Sequence, residues 1–430
     1  MLLSYFLKNL KNLNPKKIPI SLYIHLPWCE KKCPYCDFNV DIHKQNGDEE
    51  NLLKAILEDL ERSEKYISNR KFSSVYFGGG TPSLISSKII EQITKVLSNK
   101  KLLNDNCEIN FELNPKEVMN DYLNELMNAG INRISIGIQS FDQNVLSDLE
   151  RNHSSMDALK AVEIISSLNS INTTIDLIYG VMDQTLESVI KDINTFCSFD
   201  LGHLSMYQLT IEPNTIFYKR NIITPPDNSI ELMEIEAKKI LKRNKFYQYE
   251  VSSWTKNGKE SKHNMNYWGY GDYLGLGPGA HSKITTNKSI TRMIKLKRVK
   301  SYIDNPCKTK NTEITKQNYD LDLAMNLLRI KGGLTFDEIN KRNILMNYVA
   351  KNPDISYERI VDLQRQADSM NRLERGDTTD DLARLKAEEA FKRNEANTRR
   401  AFENARGGKK RKSKKAKKGM KKRKTRRGKK

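Results

Sequence analysis

Residues 29–36 read Cys-Glu-Lys-Lys-Cys-Pro-Tyr-Cys, which places Cys29, Cys33 and Cys36 within one short loop. Thiolates at this spacing suit an iron–sulfur cluster, and three cysteines on a four-iron cluster leave one iron open to a further ligand. The alternative is a structural zinc site, which usually has two paired knuckles and four protein ligands. Ligand number and spacing both favour a cluster over zinc. The other cysteines are isolated and form no second knuckle; they are Cys107, Cys197 and Cys307.

The charge of the chain is concentrated at its end. The 430 residues carry a formal net charge of +20, and 16 Lys or Arg residues with no acid lie within residues 407–430. The remaining chain therefore carries only +4 (20 − 16). We expect any contact with a polyanion or an anionic membrane to involve this polybasic tail and not a groove on the folded body.

The cysteine usage predicts a reducing, cytoplasmic setting, because half of the six cysteines fall in one motif and do not resemble a disulfide framework. No stretch approaches the roughly 20 apolar residues of a membrane span.

Residues 1–17 are interpreted as an N-terminal leader segment. Their apolar start lacks a basic leader and a small-residue cleavage site, and it predicts a short helix or, less strongly, a surface anchor.

From Ile18 to about Leu209, strand-like apolar runs alternate with amphipathic helical patterns, an order typical of a parallel sheet. Six such units close only part of an eight-unit barrel. We therefore expect a partial (β/α)6 TIM-like barrel over residues 18–210 rather than a doubly wound sheet. The predicted strands are Ile20–His25, Ser74–Phe77, Glu108–Glu112, Arg133–Gly137, Thr173–Ile178 and Leu204–Leu209. The predicted helices are Glu49–Ile67, Ser86–Leu97, Glu117–Asn128, Ser155–Leu168 and Leu186–Phe196.

Polar residues or glycines lie at the ends of four successive predicted strands. Residues 78–82 (Gly-Gly-Gly-Thr-Pro) follow the second strand, Glu112 ends the third, Gln139 follows the fourth and Asp176 lies near the end of the fifth. Chemistry in β/α barrels collects at the carboxyl ends of the strands. One glycine-rich turn alone is weak evidence, but the four strand ends together predict a shared site beside the cysteines.

The cysteine loop resembles that of the radical S-adenosylmethionine (SAM) superfamily. Five further motifs resemble the oxygen-independent coproporphyrinogen III oxidase family, and the resemblance extends from about Ile18 to about Asn340. These motifs occupy residues 21–29, 76–84, 111–115, 133–141 and 175–180.

This resemblance implies a partial barrel of the radical SAM type, with a [4Fe-4S] cluster on Cys29, Cys33 and Cys36 and with SAM on the open iron. It also implies that nine residues contact SAM. These are Tyr23, Tyr35, Gly79, Gly80, Thr81, Glu112, Gln139, Arg151 and Asp176.

The cofactor suggests physical roles for several of these residues. Glycines at 79–80 would let the backbone approach the ligand, because no Cβ intervenes. Glu112 would accept hydrogen bonds from the SAM ammonium, and Arg151 would pair with its carboxylate. Asp176 would hold ribose hydroxyls. The alternative for Arg151 and Gln139 is that each is an ordinary surface residue of a helix or strand.

Two observations favour one branch of the family. Members that oxidise coproporphyrinogen carry another cysteine two positions after the third cluster cysteine, where this chain has Phe38. Residues 263–268 (His-Asn-Met-Asn-Tyr-Trp) and 273–281 resemble the other branch, the HemW-type haem chaperones, which are proposed to bind haem and to pass it to acceptor proteins.

The second branch implies haem as a third ligand, with His263 as the candidate contact. Imidazole is a natural ligand of haem iron, and Tyr267 and Trp268 would cover a porphyrin face. The alternative is that His263 is a buried, hydrogen-bonded histidine in a turn before a strand.

The remaining chain predicts a smaller C-terminal α-rich extension. Residues 211–346 contain an amphipathic helix at 229–244 and a strand at Phe246–Val251. We expect this region to cover the cofactor on the open side of the barrel and to start a helical domain. Residues 347–406 are charged and suggest exposed helices such as Asp380–Asn397. The tail at 407–430 is expected to be disordered, because like charges repel one another.

Three functions follow as hypotheses. The first is a haem chaperone that carries a [4Fe-4S] cluster and SAM, and Phe38 and the 263–268 motif favour it. The second is a coproporphyrinogen III oxidase that forms protoporphyrinogen IX by radical decarboxylation. The third is a cluster-bearing module that the tail attaches to nucleic acid. No residue is assigned a catalytic role.

Overall fold

The computed structural model describes residues 15–168, 171–256, 258–287, 289–314, 326 and 329–331. All of them lie within one compact unit of the chain. The predictions for residues 1–14, for Asp380–Asn397 and for the polybasic tail fall outside the described residues. None of the described helices combines the length and the apolar character that crossing a membrane requires.

Six parallel strands form the centre of a twelve-stranded sheet, and they lie in chain order. Side chains of the second and sixth strands line one cavity, although three strands separate them. The sheet is therefore curled, which confirms the predicted partial (β/α)6 barrel. The strands are β1 Ile20–Leu26, β2 Phe72–Gly79, β3 Leu103–Leu113, β4 Arg133–Gln139, β5 Asn172–Tyr179 and β6 His203–Gln208.

The helices between these strands bury one apolar face each, as the amphipathic patterns predict. In the first helix Leu52, Ile56 and Leu60 are buried. The predicted helix Glu117–Asn128 begins only at Asn120, because Pro115–Glu117 form a separate 3-10 turn. The helices are α1 Asp48–Ile67, α2 Ser87–Asn99, α3 Asn120–Asn128, α4 Gln143–Asp148, α5 Ser155–Ser166 and α6 Leu186–Cys197.

The described part of residues 211–346 extends the sheet at both edges, and it contains more strand than the α-rich expectation. The helix predicted at 229–244 and the strand predicted at 246–251 are confirmed. The helices are α7 Ile216–Lys219, α8 Asp227–Arg243, α9 Lys262–Trp268 and α10 Val299–Asp304. The strands are β7 Tyr247–Glu250, β8 Ser253–Thr255, β9 Asp272–Leu276, β10 His281–Thr285, β11 Ile290–Lys295 and β12 Thr309–Glu313.

Strand β9 lies parallel to β1, and β10, β11 and β12 follow it in antiparallel order. At the other edge β8 pairs antiparallel with β6, and β7 lies outside it. These short strands satisfy their backbone groups by pairing at the sheet edges, so they need no long apolar pattern of their own.

Helix α9 closes the amino end of the barrel. The sequence predicts this region on the cofactor side instead. The Asn266 side chain donates to Ser21 Oγ at 2.8 Å, and His263 Nδ1 lies 3.1 Å from Ser74 Oγ. Ser21 and Ser74 are paired residues near the starts of β1 and β2. The helix is therefore held at the opposite end of these strands from the cysteines.

Asp272 joins the added strands to the barrel through buried charges. Its carboxylate lies 2.7 Å from Arg70 Nη1 and 3.1 Å from Lys283 Nζ, and all three side chains are buried. Thr285 donates two further hydrogen bonds to the same carboxylate. A buried carboxylate between two cations compensates both of them.

We expect the Asp272→Ala substitution to lower the free energy of unfolding by about 3 kcal/mol or more, because it removes a buried carboxylate that pairs with Arg70 and Lys283. Urea denaturation followed by circular dichroism measures this change. Exposed Asp105 offers the matched control, Asp105→Ala, which should change the stability little. Equal stability of the two variants would contradict this account.

Candidate cofactor site

The cysteine loop, residues 29–41, is closed at its base by backbone hydrogen bonds. The Cys29 amide donates to the Asp41 carbonyl at 3.0 Å, and the Asp41 amide donates to the Pro27 carbonyl at 2.8 Å. Trp28 between them is buried in the core. The loop therefore leaves the carboxyl end of β1 and returns to it, which fixes where its thiols lie.

The glycine-rich turn after β2 pairs with the base of this loop. The Gly80 amide donates to the Leu26 carbonyl at 2.8 Å, and the Thr81 amide donates to the Trp28 carbonyl at 2.7 Å. The Thr81 hydroxyl lies 3.5 Å from Cys29 Sγ. The turn therefore reaches both the backbone and one thiol of the cysteine loop.

The glycines at 79 and 80 line the cavity, and both also make close contacts with the protein itself. A Cβ at Gly80 would lie 2.5 Å from the Trp28 carbonyl oxygen. A Cβ at Gly79, whose φ is +119°, would lie 2.6 Å from the His25 ring. Neither neighbour is a flexible side-chain end, so both positions require glycine for packing.

One cavity collects most of the predicted site. The three cluster cysteines line it together with eight of the nine residues predicted to contact SAM. Those eight are Tyr35, Gly79, Gly80, Thr81, Glu112, Gln139, Arg151 and Asp176.

Tyr23 does not line this cavity. Its hydroxyl lies 2.9 Å from His25 Nδ1, and His25 Nε2 lies 2.7 Å from the Asn39 carbonyl oxygen. A carbonyl only accepts, so Nε2 carries the hydrogen and Nδ1 accepts from the tyrosine. Burial lowers the pKa of His25, which favours this neutral form. Tyr23 is therefore linked to the cysteine loop indirectly, through the two hydrogen bonds of His25.

The thiols lie in a half-buried environment. Burial raises the pKa of Cys29, and it raises the pKa of Cys36 to about 11. Metal binding must therefore displace protons from these thiols. In the described part of the chain, no three Cys, His, Asp or Glu side chains are gathered closely enough to hold a single metal ion.

Arg151 joins the cysteine loop to β4. Its Nη1 lies 3.4 Å from Cys33 Sγ and 3.3 Å from the Tyr35 hydroxyl, and its Nη2 donates to the Gly137 carbonyl at 3.1 Å. Its Nε is buried and has no partner within the described residues. A buried donor of this kind calls for an acceptor that the protein does not supply. The three thiols and this guanidinium thus fit a cluster with an anionic ligand group.

Two buried carboxyls line the same cavity, near the ends of β3 and β5. Glu112 accepts hydrogen bonds from the Tyr76 hydroxyl at 2.7 Å and from the Gly79 amide at 3.2 Å. Asp176 accepts from the Ser135 hydroxyl at 3.1 Å. Burial raises the pKa of Glu112 to about 7 and that of Asp176 to about 6. A cationic ligand would favour the ionised form of both carboxyls.

Gln139 is turned into the cavity by its backbone. Its φ is +68°, in the left-handed region that non-glycine residues seldom adopt. The pairing of β4 with β5 shifts register just before it. Gly137 leaves room for its amide, because a Cβ there would lie 2.8 Å from Gln139 Nε2. Gln139 and Arg151 are therefore cavity residues and not ordinary surface residues.

A second cavity inside the barrel adjoins the first and was not predicted. Phe38, Glu112, Ser135, Gln139 and Asp176 line both cavities. The wall of the second cavity is polar. The sequence indicates it by polar residues that recur at every second position along β3 to β6, which places them on one face of the sheet. The residues that form it include Asn110, Arg133, Thr174, His203, Ser205 and Tyr207.

Phe38 lies where the two cavities meet. Its ring is 57% exposed, although it contributes to the walls of both. The residue at the position where the oxidase branch has a cysteine therefore presents an apolar surface to both spaces.

His263 lines neither cavity. Its ring packs on Tyr76 with centroids 4.9 Å apart, and its backbone amide donates to Glu108 Oε1 at 3.2 Å. Burial lowers the pKa of His263 to about 4, so the imidazole is neutral at physiological pH. Tyr267 and Trp268 contact each other edge to face at 4.8 Å.

The radical SAM superfamily profile matches residues 23–194, from β1 to α6. "Heme chaperone HemW" of Buchnera aphidicola subsp. Acyrthosiphon pisum is 37% identical over 342 residues, which are 79% of this chain and 91% of that protein. The protein of that name from Haemophilus influenzae is 38% identical over 79% of this chain and 90% of the relative. The one from Escherichia coli is 35% identical over 73% and 83%.

Among solved structures, coproporphyrinogen III oxidase (HemN) from Escherichia coli, a radical SAM enzyme, matches with a TM-score of 0.66. It is 22% identical and covers 84% of this chain and 86% of that one. At this identity the match shows a shared fold. The sequence relatives show the family as well as the fold, because they are 35–38% identical over most of both chains. This chain therefore belongs to the HemW-type branch of the radical SAM superfamily.

Proposed function

We propose that this chain is a haem chaperone that binds haem, carries a [4Fe-4S] cluster and SAM, and passes haem to an acceptor protein. The observation that supports it most is the cavity that collects three thiols and eight predicted SAM residues. The relatives named heme chaperone add the haem part of the proposal.

In this proposal Cys29, Cys33 and Cys36 hold the cluster. When bound, the cluster and SAM supply one-electron chemistry. Arg151 holds the SAM carboxylate, since its guanidinium faces the thiols and has an unused buried donor. The Glu112 carboxylate pairs with the positive charge of the ligand.

Asp176 accepts the ribose hydroxyls, and Gln139 presents its amide to the same ligand. The strand ends hold these side chains in place before the ligand arrives, which lowers the cost of ordering them. All six cysteines are free thiols, and this suits the cytoplasm that we propose as the location.

His263 is the proposed haem contact. Its neutral imidazole is the form that binds iron, and its Nδ1 is held by Ser74. The ring packs on Tyr76 and lines neither cavity, so haem access requires α9 to move away from β2.

We expect Cys29→Ala, Cys33→Ala and Cys36→Ala each to abolish loading of the cluster, because each removes one of three ligands. Iron and sulfide are measured per chain after anaerobic reconstitution. Cys307→Ala is the matched control, and it should load like the parent chain. Full loading of any of the three variants, or zinc as the only metal bound, would contradict the assignment.

The affinity for SAM should rise with pH. The pKa of Glu112 is about 7, so the carboxylate is about one tenth ionised at pH 6 and nine tenths ionised at pH 8. A cation prefers the ionised form, and the dissociation constant should therefore fall about tenfold over this range. Isothermal titration of the cluster-loaded protein measures it.

Glu112→Gln supplies the control for this prediction, because it keeps the shape of the side chain and removes its titration. The variant should bind SAM more weakly at pH 8, and its remaining pH dependence reports the ionisation of SAM and of Asp176. The same tenfold change in the variant would show that Glu112 is not the responsible group.

Haemin titration should develop a Soret band of saturable intensity, and His263→Ala should weaken binding about tenfold or more by removing an axial ligand. His43→Ala is the control, since His43 is exposed and far along the chain from the 263–268 motif. Equal haem affinity of the two variants would remove His263 from the site.

The oxidase alternative is tested in the same preparation. Protoporphyrinogen formed from coproporphyrinogen III with SAM and a reductant would support that enzyme instead of the chaperone.

Contact of the polybasic tail with a polyanion or membrane stays a prediction. Removal of residues 407–430 tests it, because the shortened chain should lose the salt-dependent retention of the protein on the polyanion.

A further inference from the structure

Residues from beyond the barrel hold the cysteine loop at two places. The Phe217 amide, at the start of α7, donates to the Pro34 carbonyl at 3.0 Å. The Phe217 ring also lies 6.3 Å from the Tyr35 ring. The second place is Asn39, three residues after the last cluster cysteine. The loop is thus tied to the chain that follows the barrel as well as to its own base.

The Asn39 side chain donates its two amide hydrogens to two segments, one after β9 and one after β11. Its Nδ2 donates to the Pro278 carbonyl at 3.0 Å and to the Lys297 carbonyl at 2.8 Å. Its own backbone carbonyl accepts from His25 Nε2 at 2.7 Å. Asn39 therefore joins the cysteine loop to β1 and to the segments after β9 and β11 through three hydrogen bonds.

The turn at residues 277–279 (Gly-Pro-Gly) is shaped for this approach. A Cβ at Gly279, whose φ is +74°, would lie 2.7 Å from Asn39 Nδ2. A Cβ at Gly277, whose φ is +102°, would lie 2.3 Å from the His25 carbonyl oxygen. The Gly277 amide donates to the Tyr302 hydroxyl at 3.0 Å, which stabilises the turn. Both glycines are needed for contact with the cysteine loop and its preceding strand.

We infer that Asn39 is a positioning residue that fixes the cysteine loop against the Gly-Pro-Gly turn, so that Cys36 lies correctly beside the SAM cavity. The inference rests on the proposed function. The loop base is held at Cys29 and Asp41, and Asn39 is the side-chain anchor next to Cys36. Asn39 contacts no cofactor in this account, and it acts through the loop.

The test uses the full chain with Asn39→Asp, which keeps the side-chain volume and cannot donate to the two carbonyls. Iron and sulfide are measured after anaerobic reconstitution, and the electron paramagnetic resonance spectrum of the reduced cluster is recorded with and without SAM. Asn124→Asp, on the exposed face of α3, is the matched control.

We expect Asn39→Asp to weaken SAM affinity about tenfold or more and to alter the SAM-dependent change of the spectrum, because the carboxylate is repelled by both carbonyls. Asn124→Asp should behave like the parent chain. If Asn39→Asp does not fold, Asn39→Ala decides, since it removes the same bonds without adding charge.

A parent-like spectrum and SAM affinity in the folded Asn39 variant would overturn the inference and leave the proposed function standing. A parent chain that loads no cluster, or whose spectrum ignores SAM, would overturn the proposed function and this inference with it. The two failures are therefore distinguishable in one experiment.

Discussion

The pairing of the cysteine loop with the first two strands is the constraint on which the site depends. The carbonyls of Leu26 and Trp28 accept the amides of Gly80 and Thr81, and Asp41 closes the loop behind them. These bonds place three thiols at the edge of the sheet where the parallel strands end. The side chains at the ends of the next three strands then face the thiols across one cavity. Without this pairing, the thiols and the carboxyls would belong to separate parts of the surface.

Burial gives this cavity its electrostatic character. Glu112 and Asp176 titrate near neutrality because they are removed from water, and each is held by hydroxyl donors. Deeper in the barrel, Arg133 is compensated by Glu108 at 3.3 Å. The two carboxyls and Arg151 therefore bring groups of opposite charge to the same cavity. Such a site suits a ligand that carries both a cationic and an anionic group.

The sequence predicted the central architecture well, because the core strands are apolar and the helices have one apolar face. β1 was expected at Ile20–His25 and ends one residue later. Prediction failed where pairing or tertiary contact decides the structure. β12 reads Thr-Lys-Asn-Thr-Glu and carries no apolar pattern, so only its pairing with β11 makes it a strand. No sequence pattern marks Asn39 as important, because the two carbonyls that its side chain contacts lie more than 230 residues away along the chain. The position of α9 likewise depends on polar contacts with distant strands.

The central claim is that the three thiols hold a cluster with one iron open to SAM. Electron–nuclear double resonance on the reduced protein, with SAM labelled by oxygen-17 in its carboxylate, tests this most directly. The account predicts a hyperfine coupling between the label and the cluster, which requires the carboxylate to bind iron. A cluster signal without any coupling to the label would contradict it.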